Sequence, residues 1–180
     1  MIRWRPFEYQ GKVYDLTHLH PRTVVYEQAA KGDKPSRCYT VDVFFGLHCF
    51  TRMFEEAKEP DTALIYADNR EERIFDFRRY QLSRLLPEII EGLPLRKCYH
   101  SGKGNFFSVE VTEENGQQVE YDIFFAASRS SKRGLINLFV QSAYVRDPQY
   151  AASRPEMKPI GFYVILFNTF YNRPIKPPQK

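Results

Sequence analysis

A single Asn-Gly pair near the middle of the chain places the tightest limit on its fold. Residues 105–128, NFFSVEVTEENGQQVEYDIFFAAS, contain two β-prone runs that flank Asn115 and Gly116. A two-residue hairpin turn needs positive φ at both central positions, and Asn-Gly adopts that geometry more readily than most pairs. The segment therefore predicts a long antiparallel hairpin, around which the rest of the chain has to build a sheet.

Shorter runs with strand character lie on both sides of this hairpin. Residues 37–51, RCYTVDVFFGLHCFT, place Tyr39, Val41 and Val43 on one face, an alternation that is typical of a half-buried strand. We expect Gly46 to form a bulge within that strand. Further strands are expected in residues 7–19 (two, around the Gln10-Gly11 turn), 22–29, 97–101 and 134–145.

One segment has the pattern of a helix. In residues 82–93, LSRLLPEIIEGL, apolar side chains recur at helical spacing, Ser83 can cap the N-terminus, and Pro87 falls in the first turn, where its missing N–H does little harm. Residues 161–171, GFYVILFNTFY, fit either a last strand or a short helix. Residues 148–159, which contain three prolines, are expected to form a loop before this segment.

Together these elements predict an α+β fold, mainly an antiparallel β-sheet meander with one principal helix. The length of 180 residues is enough for a single hydrophobic core. We expect residues 1–160 to form a single domain, and residues 161–180 to form an apolar segment followed by a basic, proline-rich tail.

Composition excludes several classes of protein. The chain is 43% hydrophobic, with 15 Phe and 12 Tyr, which is too apolar for a disordered protein. No run approaches the roughly 20 apolar residues of a membrane span, and the first residues lack the apolar core of a signal peptide. Cys38, Cys49 and Cys98 have no CxxC spacing, so we expect them to be reduced and buried. A cytoplasmic protein without a membrane partner is therefore expected.

The basic residues are unevenly distributed along the chain. From Ser128 to the end there are nine Lys or Arg and two acidic residues, whereas the preceding 127 residues carry 17 basic and 20 acidic ones. A basic third joined to a slightly acidic remainder points to a polyanionic partner, although ordinary globular proteins can show the same imbalance.

The usual motifs of metal and nucleotide chemistry are absent from the sequence. The pairs His18/His20 and Cys98/His100 lack the spacing of zinc fingers and zinc proteases, so neither a metal nor another cofactor is expected. Residues 101–105, SGKGN, are glycine-rich but precede a strand. They therefore lack the helix N-terminus that holds phosphate in nucleotide-binding loops.

The remaining candidates lie around the meander and suit metal-free RNA cleavage. That reaction needs a base for the 2′-OH proton, an acid for the leaving oxygen, and cations or hydroxyls for the charged phosphate. Histidine, arginine and tyrosine supply such groups, and a tyrosine can also stack on a base. We predict His48, His100, Arg129 and Tyr144 as catalytic residues, and Lys103, Lys132, Arg133 and Ser142 as RNA-binding residues.

Each of these candidates also has a structural explanation. A histidine on a strand is more often a hydrogen-bonded structural residue, Tyr144 suits packing at the edge of a core, and residues 128–134, SRSSKRG, have a common hairpin composition. The functional alternative gains weight because a meander brings several strand ends and loops to shared rims.

Six segments taken together resemble a family of small bacterial proteins, often carried on prophages and mobile elements, with the labels heat-shock protein C-like and growth-adaptation protein. The resemblance covers residues 10–150. The segments are YDLTHLHP, VDVFFGLHCFT, LPEIIEGL, NFFSVEV, SRSSKRG and LFVQSAYV.

More distantly, the helix, the meander and a late strand that reads VQSAYV are similar to ribonuclease toxins of the barnase, EndoU, colicin and RelE type. In those toxins a comparable Thr/Ser-Ala-Tyr closes a late strand. The resemblance implies RNA as the substrate and a hydrolase with a toxin or antiviral-defence role.

Two hypotheses of different classes follow. The first is an RNA-binding protein that acts as a metal-independent endoribonuclease, with RNA and a cognate antitoxin or other protein as its partners. The second is a non-catalytic prophage or accessory protein that binds a protein partner or a guide RNA through the same basic surface. Incubation with labelled RNA in EDTA distinguishes cleavage from binding alone.

Overall fold

The computed structural model describes residues 3–55, 61–146 and 155–177. Residues 148–154 of the expected proline-rich loop and residues 178–180 of the basic tail lie outside the described residues. The strands are β1 (Phe7–Tyr9), β2 (Lys12–Tyr14), β3 (Arg22–Gln28), β4 (Arg37–His48), β5 (Thr51–Arg52), β6 (Ile65–Ala67), β7 (Glu72–Phe75), β8 (Cys98–His100), β9 (Phe106–Glu114), β10 (Gln117–Arg129), β11 (Leu135–Val145) and β12 (Lys158–Ile160). The α-helices are α1 (Phe77–Ser83), α2 (Leu86–Glu91) and α3 (Phe162–Phe170).

The predicted hairpin is the centre of the fold. Strands β9 and β10 pair antiparallel from Phe106/Phe125 to Glu114/Gln117. The turn has φ of 51° at Asn115 and 76° at Gly116, the left-handed geometry that this pair was expected to supply. A seven-stranded sheet grows outward from the hairpin in the order β12-β8-β9-β10-β11-β4-β3.

The sheet is mixed, which refines the predicted, mainly antiparallel meander. Strands β8 to β11 do form an antiparallel meander, but β11 pairs with β4 in parallel, from Leu135/Thr40 to Ser142/His48. Parallel strands need a long connection, and here the whole chain between His48 and Leu135 supplies it. The fold is thus α+β and rich in sheet, with three short helices in place of one principal helix.

The bulge expected at Gly46 is present in β4. Phe45 pairs with Val140 and His48 pairs with Ser142, so that Gly46 and Leu47 face the single residue Gln141 of β11. The carbonyl of Gln141 comes so close to β4 that a Cβ at position 46 would lie 2.8 Å from it. Gly46 is therefore required by this close approach of two backbones.

Substitution of Gly46 by Ala is expected to lower the free energy of unfolding by about 2–3 kcal/mol, because two packed strands would have to move apart. The new Cβ would also lie 3.2 Å from the carbonyl oxygen of Val140. Urea denaturation measures the effect. Gly161→Ala is the matched control, since its Cβ would meet only Val164 at 3.6 Å, and its unfolding free energy should change by less than about 1 kcal/mol.

The helical segment differs from its predicted form at one end. Pro87 lies in the first turn of α2, as predicted. Ser83, however, ends α1 instead of capping a helix, and the α1 N-terminus is capped by Asp76, whose carboxylate accepts from the Arg79 N–H at 2.9 Å. Ser83 is unavailable for capping because it is buried and its hydroxyl donates to the Tyr80 carbonyl at 2.7 Å.

The same hydroxyl anchors a half-buried histidine. Its oxygen lies 2.8 Å from Nε2 of His18 and accepts there, since its own proton goes to Tyr80. Burial lowers the pKa of His18 to about 4, and the charge of Arg84 acts in the same direction. The folded chain therefore holds this imidazole neutral.

We expect the unfolding free energy to fall as the pH drops from 6.5 to about 4. The unfolded chain binds a proton at His18 in this range while the folded chain does not, so the folded state loses about 1–2 kcal/mol at this half-exposed site. Urea denaturation across this range should show the loss in the wild type and a smaller loss in His18→Gln. Equal losses in both proteins would contradict this assignment.

The last apolar segment is a helix, and it completes the core. Phe162, Ile165 and Leu166 of α3 are buried against the same core as the sheet strands. Trp4 and the strands of two smaller sheets, β1-β2 and β5-β7-β6, complete the packing near the other end of the large sheet. Of the three cysteines, which are all free, Cys38 is exposed, contrary to the expectation that all three are buried.

Candidate nucleic-acid interface

Three loops of the large sheet lie at one end of it. Residues 29–36 join β3 to β4, residues 101–105 join β8 to β9, and residues 130–134 join β10 to β11. The pairing of these strands brings all three connections to the same end, and the segment that follows α3 joins them through contacts with His100. We call residues 29–37, 101–105, 129–134 and 171–177 the basic end.

This end carries nine basic side chains and one carboxylate, that of Asp33. None of the nine forms an ion pair with another described residue. The basic side chains are Lys31, Lys34, Arg37, Lys103, Arg129, Lys132, Arg133, Arg173 and Lys176.

Elsewhere in the described chain many arginines are neutralised by carboxylates. The pairs are Arg22–Glu91 (3.4 Å), Arg73–Glu71 (3.2 Å), Arg78–Glu114 (2.5 Å), Arg96–Glu110 (3.1 Å) and Arg146–Asp122 (2.6 Å). With nine cations and one carboxylate, the basic end carries a strong positive potential.

A cavity of about 320 Å³ opens at the basic end, between β10, the loop 101–105 and the segment after α3. Two of the predicted catalytic residues, His100 and Arg129, line this cavity together, and Arg173 joins them. A neighbouring cavity of about 230 Å³ shares Arg129 and is also lined by Arg133 and Phe170. Arg129 therefore stands between two adjoining cavities.

Aromatic rings alternate with the cations at this end. The guanidinium of Arg37 lies 4.6 Å from the ring centre of Phe167, and that of Arg173 lies 5.3 Å from the same ring and 5.6 Å from that of Tyr171. Tyr171 is 49% exposed. Arginines close to partly exposed rings can bind a nucleic-acid strand by charge and stacking together.

His100 is a buried residue in the wall of the cavity, and both of its ring nitrogens form hydrogen bonds. The side chain is 3% exposed, its Nδ1 accepts from the Gly102 N–H at 2.9 Å, and its Nε2 lies 3.3 Å from the Ile175 carbonyl oxygen. Since Nδ1 accepts, the ring proton is on Nε2, which donates to Ile175. Both nitrogens are thus occupied, and the ring ties the loop 101–105 to the segment after α3.

His48, the other histidine candidate, lies at the opposite end of the sheet. Its Nε2 is 2.8 Å from the Glu71 carboxylate, and both side chains are about two-fifths exposed, at 41% and 42%. Partial burial acts to raise the pKa of Glu71, but the hydrogen bonds and charges of His48 and Arg73 outweigh it and lower that pKa. A carboxylate that orients an exposed imidazole is an arrangement capable of proton transfer.

Ser142 and Tyr144 accompany His48. Ser142 is the register partner of His48 across the parallel strands. The Tyr144 ring stacks on Phe124, with centres 5.9 Å apart, and the guanidinium of Arg79 lies 5.2 Å from its centre. Tyr144 is thus packed between a ring and a cation.

The eight predicted site residues therefore fall into two groups. Arg129 pairs with Ile136 at the start of β11, and Tyr144 lies eight residues further along that strand. At about 3.3 Å per residue the two groups are about 25 Å apart, too far to act on one phosphate. The basic end holds His100, Lys103, Arg129, Lys132 and Arg133, and the opposite end holds His48, Ser142 and Tyr144.

Five of the nine cations at the basic end were not among the predicted residues: Lys31, Lys34, Arg37, Arg173 and Lys176. Arg37 and Arg173 are 136 positions apart in sequence, yet both lie on the Phe167 ring. Arg37 begins the predicted strand of residues 37–51, but nothing in that pattern singles it out. No local pattern singles out Arg173 within the tail.

The described residues give little support for a metal site, a cysteine nucleophile or a membrane-spanning helix. Among them, no group of three His, Cys, Asp or Glu side chains is close enough to hold a metal ion. Burial raises the pKa of the Cys49 thiol to about 12, so this cysteine beside His48 is held as a thiol. None of the described helices is both long and apolar enough to cross a membrane.

Comparison with known proteins bears on the whole fold. The model of the YjaZ family matches residues 6–170, a range that contains every strand and helix described above. No curated protein and no solved structure matches the chain. The family match supports the expected membership of a bacterial protein family.

Proposed function

We infer that this chain, which belongs to the YjaZ family, binds RNA through its basic end. The observation that carries the proposal is the concentration of nine basic side chains without ion-pair partners in the described chain at one end of the sheet. Cations that a protein leaves without carboxylate partners repel one another, so their clustering is best explained by a polyanionic ligand. Phosphate contacts by such cations supply most of the affinity of nucleic-acid-binding proteins.

RNA is favoured over other polyanions because of the aromatic rings. Phe167, Phe170 and Tyr171 lie among the cations, and flexible single-stranded RNA offers unpaired bases that can stack on such rings. The resemblance of the VQSAYV strand to ribonuclease toxins supports the same substrate class.

Binding is favoured over cleavage by the positions of the histidines. At the basic end His100 has both ring nitrogens occupied, so it is poorly placed to exchange a proton with RNA. His48 has a suitable carboxylate partner but shares its cavity with the carboxylates of Asp68 and Glu71, which repel phosphate. We therefore propose RNA binding as the principal activity.

Metal-independent endoribonuclease activity is the second candidate, and the His48–Glu71 pair is the observation that favours it. In this alternative His48 takes the 2′-OH proton, and the 2′ oxygen attacks the phosphorus to form a 2′,3′-cyclic phosphate. The bond to the 5′ oxygen breaks, the leaving 5′ oxygen takes a proton from water, and Ser142 beside His48 contacts the phosphate. The strand would have to reach from the basic end along the sheet to His48, about 25 Å away.

Incubation of the protein with end-labelled RNA in EDTA separates the two candidates. We expect RNA to be retained at low salt without cleavage, and His48→Ala to leave retention unchanged. Cleavage that disappears in His48→Ala and in Glu71→Gln would instead establish the endoribonuclease. Failure to retain RNA even at low salt would refute both candidates, because phosphate contacts strengthen as salt falls.

The biological setting follows from the resemblance. We propose that the protein acts in the cytoplasm as a prophage or mobile-element factor in toxin or defence functions, with a cognate antitoxin or another protein as a second partner. The three free cysteines are in keeping with a reducing compartment.

A further inference from the structure

We propose that the cavity lined by Arg129 and Arg173 receives the phosphorylated end of an RNA strand, an inference that rests on the proposed RNA-binding function. The class of ligand is a terminal nucleotide with its phosphate monoester. An internal stretch of the strand would bind the rest of the basic end but would leave this cavity empty.

The size of the cavity suits one nucleotide. Its volume of about 320 Å³ is at the lower limit of small-ligand pockets, about 300–1,000 Å³. A longer piece of RNA does not fit inside it, so only one nucleotide can enter while the remainder of the strand stays on the surface.

The charge of the cavity suits a phosphate monoester. Arg129 and Arg173 both line it, and no carboxylate is among the described residues that do so. A phosphate monoester carries about −1.5 to −2 at neutral pH, whereas a phosphodiester within a strand carries one charge. Two guanidinium groups, each able to donate two parallel N–H bonds, therefore complement the terminal group better than an internal one.

The remaining walls suit the sugar and the base. Phe106 and Ile175 supply apolar surface, while Ser128 and Asn172 add polar groups. A Cβ built on Gly104 would meet no atom within 4 Å, so the loop leaves open space at this edge. Polar and apolar groups are thus both available to a bound nucleotide.

One side of the cavity is closed, which favours a strand end. The hydrogen bond from His100 Nε2 to the Ile175 carbonyl oxygen joins β8 to the segment after α3. His100 and Ile175 both line the cavity, so this connection forms one of its walls and favours an end of the strand over an internal stretch beside Arg129. On the other side, Arg129 leads directly into the second cavity with Arg133 and Phe170, where the next nucleotide can lie.

The test compares one short single-stranded RNA sequence in four forms: 5′-phosphorylated, 3′-phosphorylated, with hydroxyls at both ends, and circularised. Fluorescence anisotropy with the full chain in EDTA measures each affinity. We expect one phosphorylated form to bind about tenfold more tightly than the hydroxyl and circular forms, the difference that charge-assisted hydrogen bonds make. The preferred form identifies which end of the strand is recognised.

Two variants with equal loss of charge locate the effect. Arg129→Ala/Arg173→Ala should bind all four forms with the same affinity, because the cavity has lost both guanidinium groups. Lys31→Ala/Lys34→Ala removes two cations of the same end that do not line the cavity. It should weaken all four forms by a similar factor and keep the preference for the phosphorylated end.

Equal affinity of the wild type for all four forms would overturn the terminal-phosphate proposal while leaving RNA binding by the basic end in place. A preference that survives in Arg129→Ala/Arg173→Ala would also overturn it, since the end would then be recognised elsewhere. Absence of binding of every form at low salt would instead refute the proposed function itself, and the inference with it.

Discussion

The triple variant Arg129→Ala/Lys132→Ala/Arg133→Ala is expected to bind single-stranded RNA about 100-fold more weakly than the wild type near 0.1 M salt. Each phosphate contact to a single strand contributes about 0.7 to the slope of log affinity against log salt, so three lost contacts give about two orders of magnitude. The three side chains project from one hairpin and have no ion-pair partner in the described chain, so their removal should leave the fold intact. Fluorescence anisotropy with a labelled RNA measures the change.

The matched control is Arg5→Ala/Lys12→Ala/Arg70→Ala, which removes the same charge around the two small sheets. Arg5 lies over the Tyr66 ring, Lys12 lies over the Tyr14 ring, and Arg70 lines the cavity that contains His48. We expect this variant to lose less than about fivefold in affinity, the effect of net charge alone at this ionic strength. Equal losses in the two variants would mean that RNA responds to the total charge of the chain and has no preferred end.

The second large effect concerns a buried ion pair within the sheet. Asp122→Ala should lower the free energy of unfolding by about 3–5 kcal/mol, because a fully buried carboxylate that accepts two hydrogen bonds from the Arg146 guanidinium would be lost. Asp122 is 0% exposed, and its Oδ2 accepts from Nη2 and Nε of Arg146 at 2.6 and 3.0 Å. Urea denaturation measures the loss.

Asp42→Ala is the control for that substitution. Asp42 is a carboxylate of the same sheet, but it is only partly buried and accepts from the Thr23 hydroxyl at 2.6 Å. Its removal should lower the unfolding free energy by about 1 kcal/mol. A loss in Asp122→Ala as small as that in Asp42→Ala would show that Arg146 finds water or another acceptor when its partner is removed.

The local elements of this fold are readable from sequence because short-range chemistry determines them. Asn115 and Gly116 specify their turn through the backbone conformations they allow, and the alternation around Val41 specifies a strand through the burial of one face. Pro87 marks a first helical turn for a similarly local reason. These predictions are confirmed by the structure.

The parallel pairing of β4 with β11 has no such local signal. It joins His48 to Ser142, which are far apart in the chain, and depends on the way the intervening elements pack. The bulge at Gly46 is confirmed, because the glycine marks it locally, whereas the strand that lies so close to it is not evident from the sequence. Residues 161–171 fit either a strand or a helix in the sequence, because a short apolar run has no clear period. The structure places a helix there.

The candidate site residues could likewise be predicted only where they are close together in the sequence. The cations of the hairpin, Arg129, Lys132 and Arg133, were found from sequence because they are close together in it. The net charge of the last third was a weaker guide, since Arg146 and Lys158 are paired with Asp122 and Glu156. The distance between His48 and His100 depends on strand order, which sequence pattern alone does not encode.

Ultraviolet crosslinking of bound RNA, followed by mass spectrometry of the attached peptides, tests most directly which end of the sheet holds the strand. If the basic end binds RNA, crosslinks form at Phe170 and Tyr171, whose rings lie among its cations. Phe139, which is 41% exposed and lines the cavity with His48, serves as the reporter for the opposite end. Crosslinks at Phe139 with none at Phe170 or Tyr171 would contradict RNA binding by the basic end.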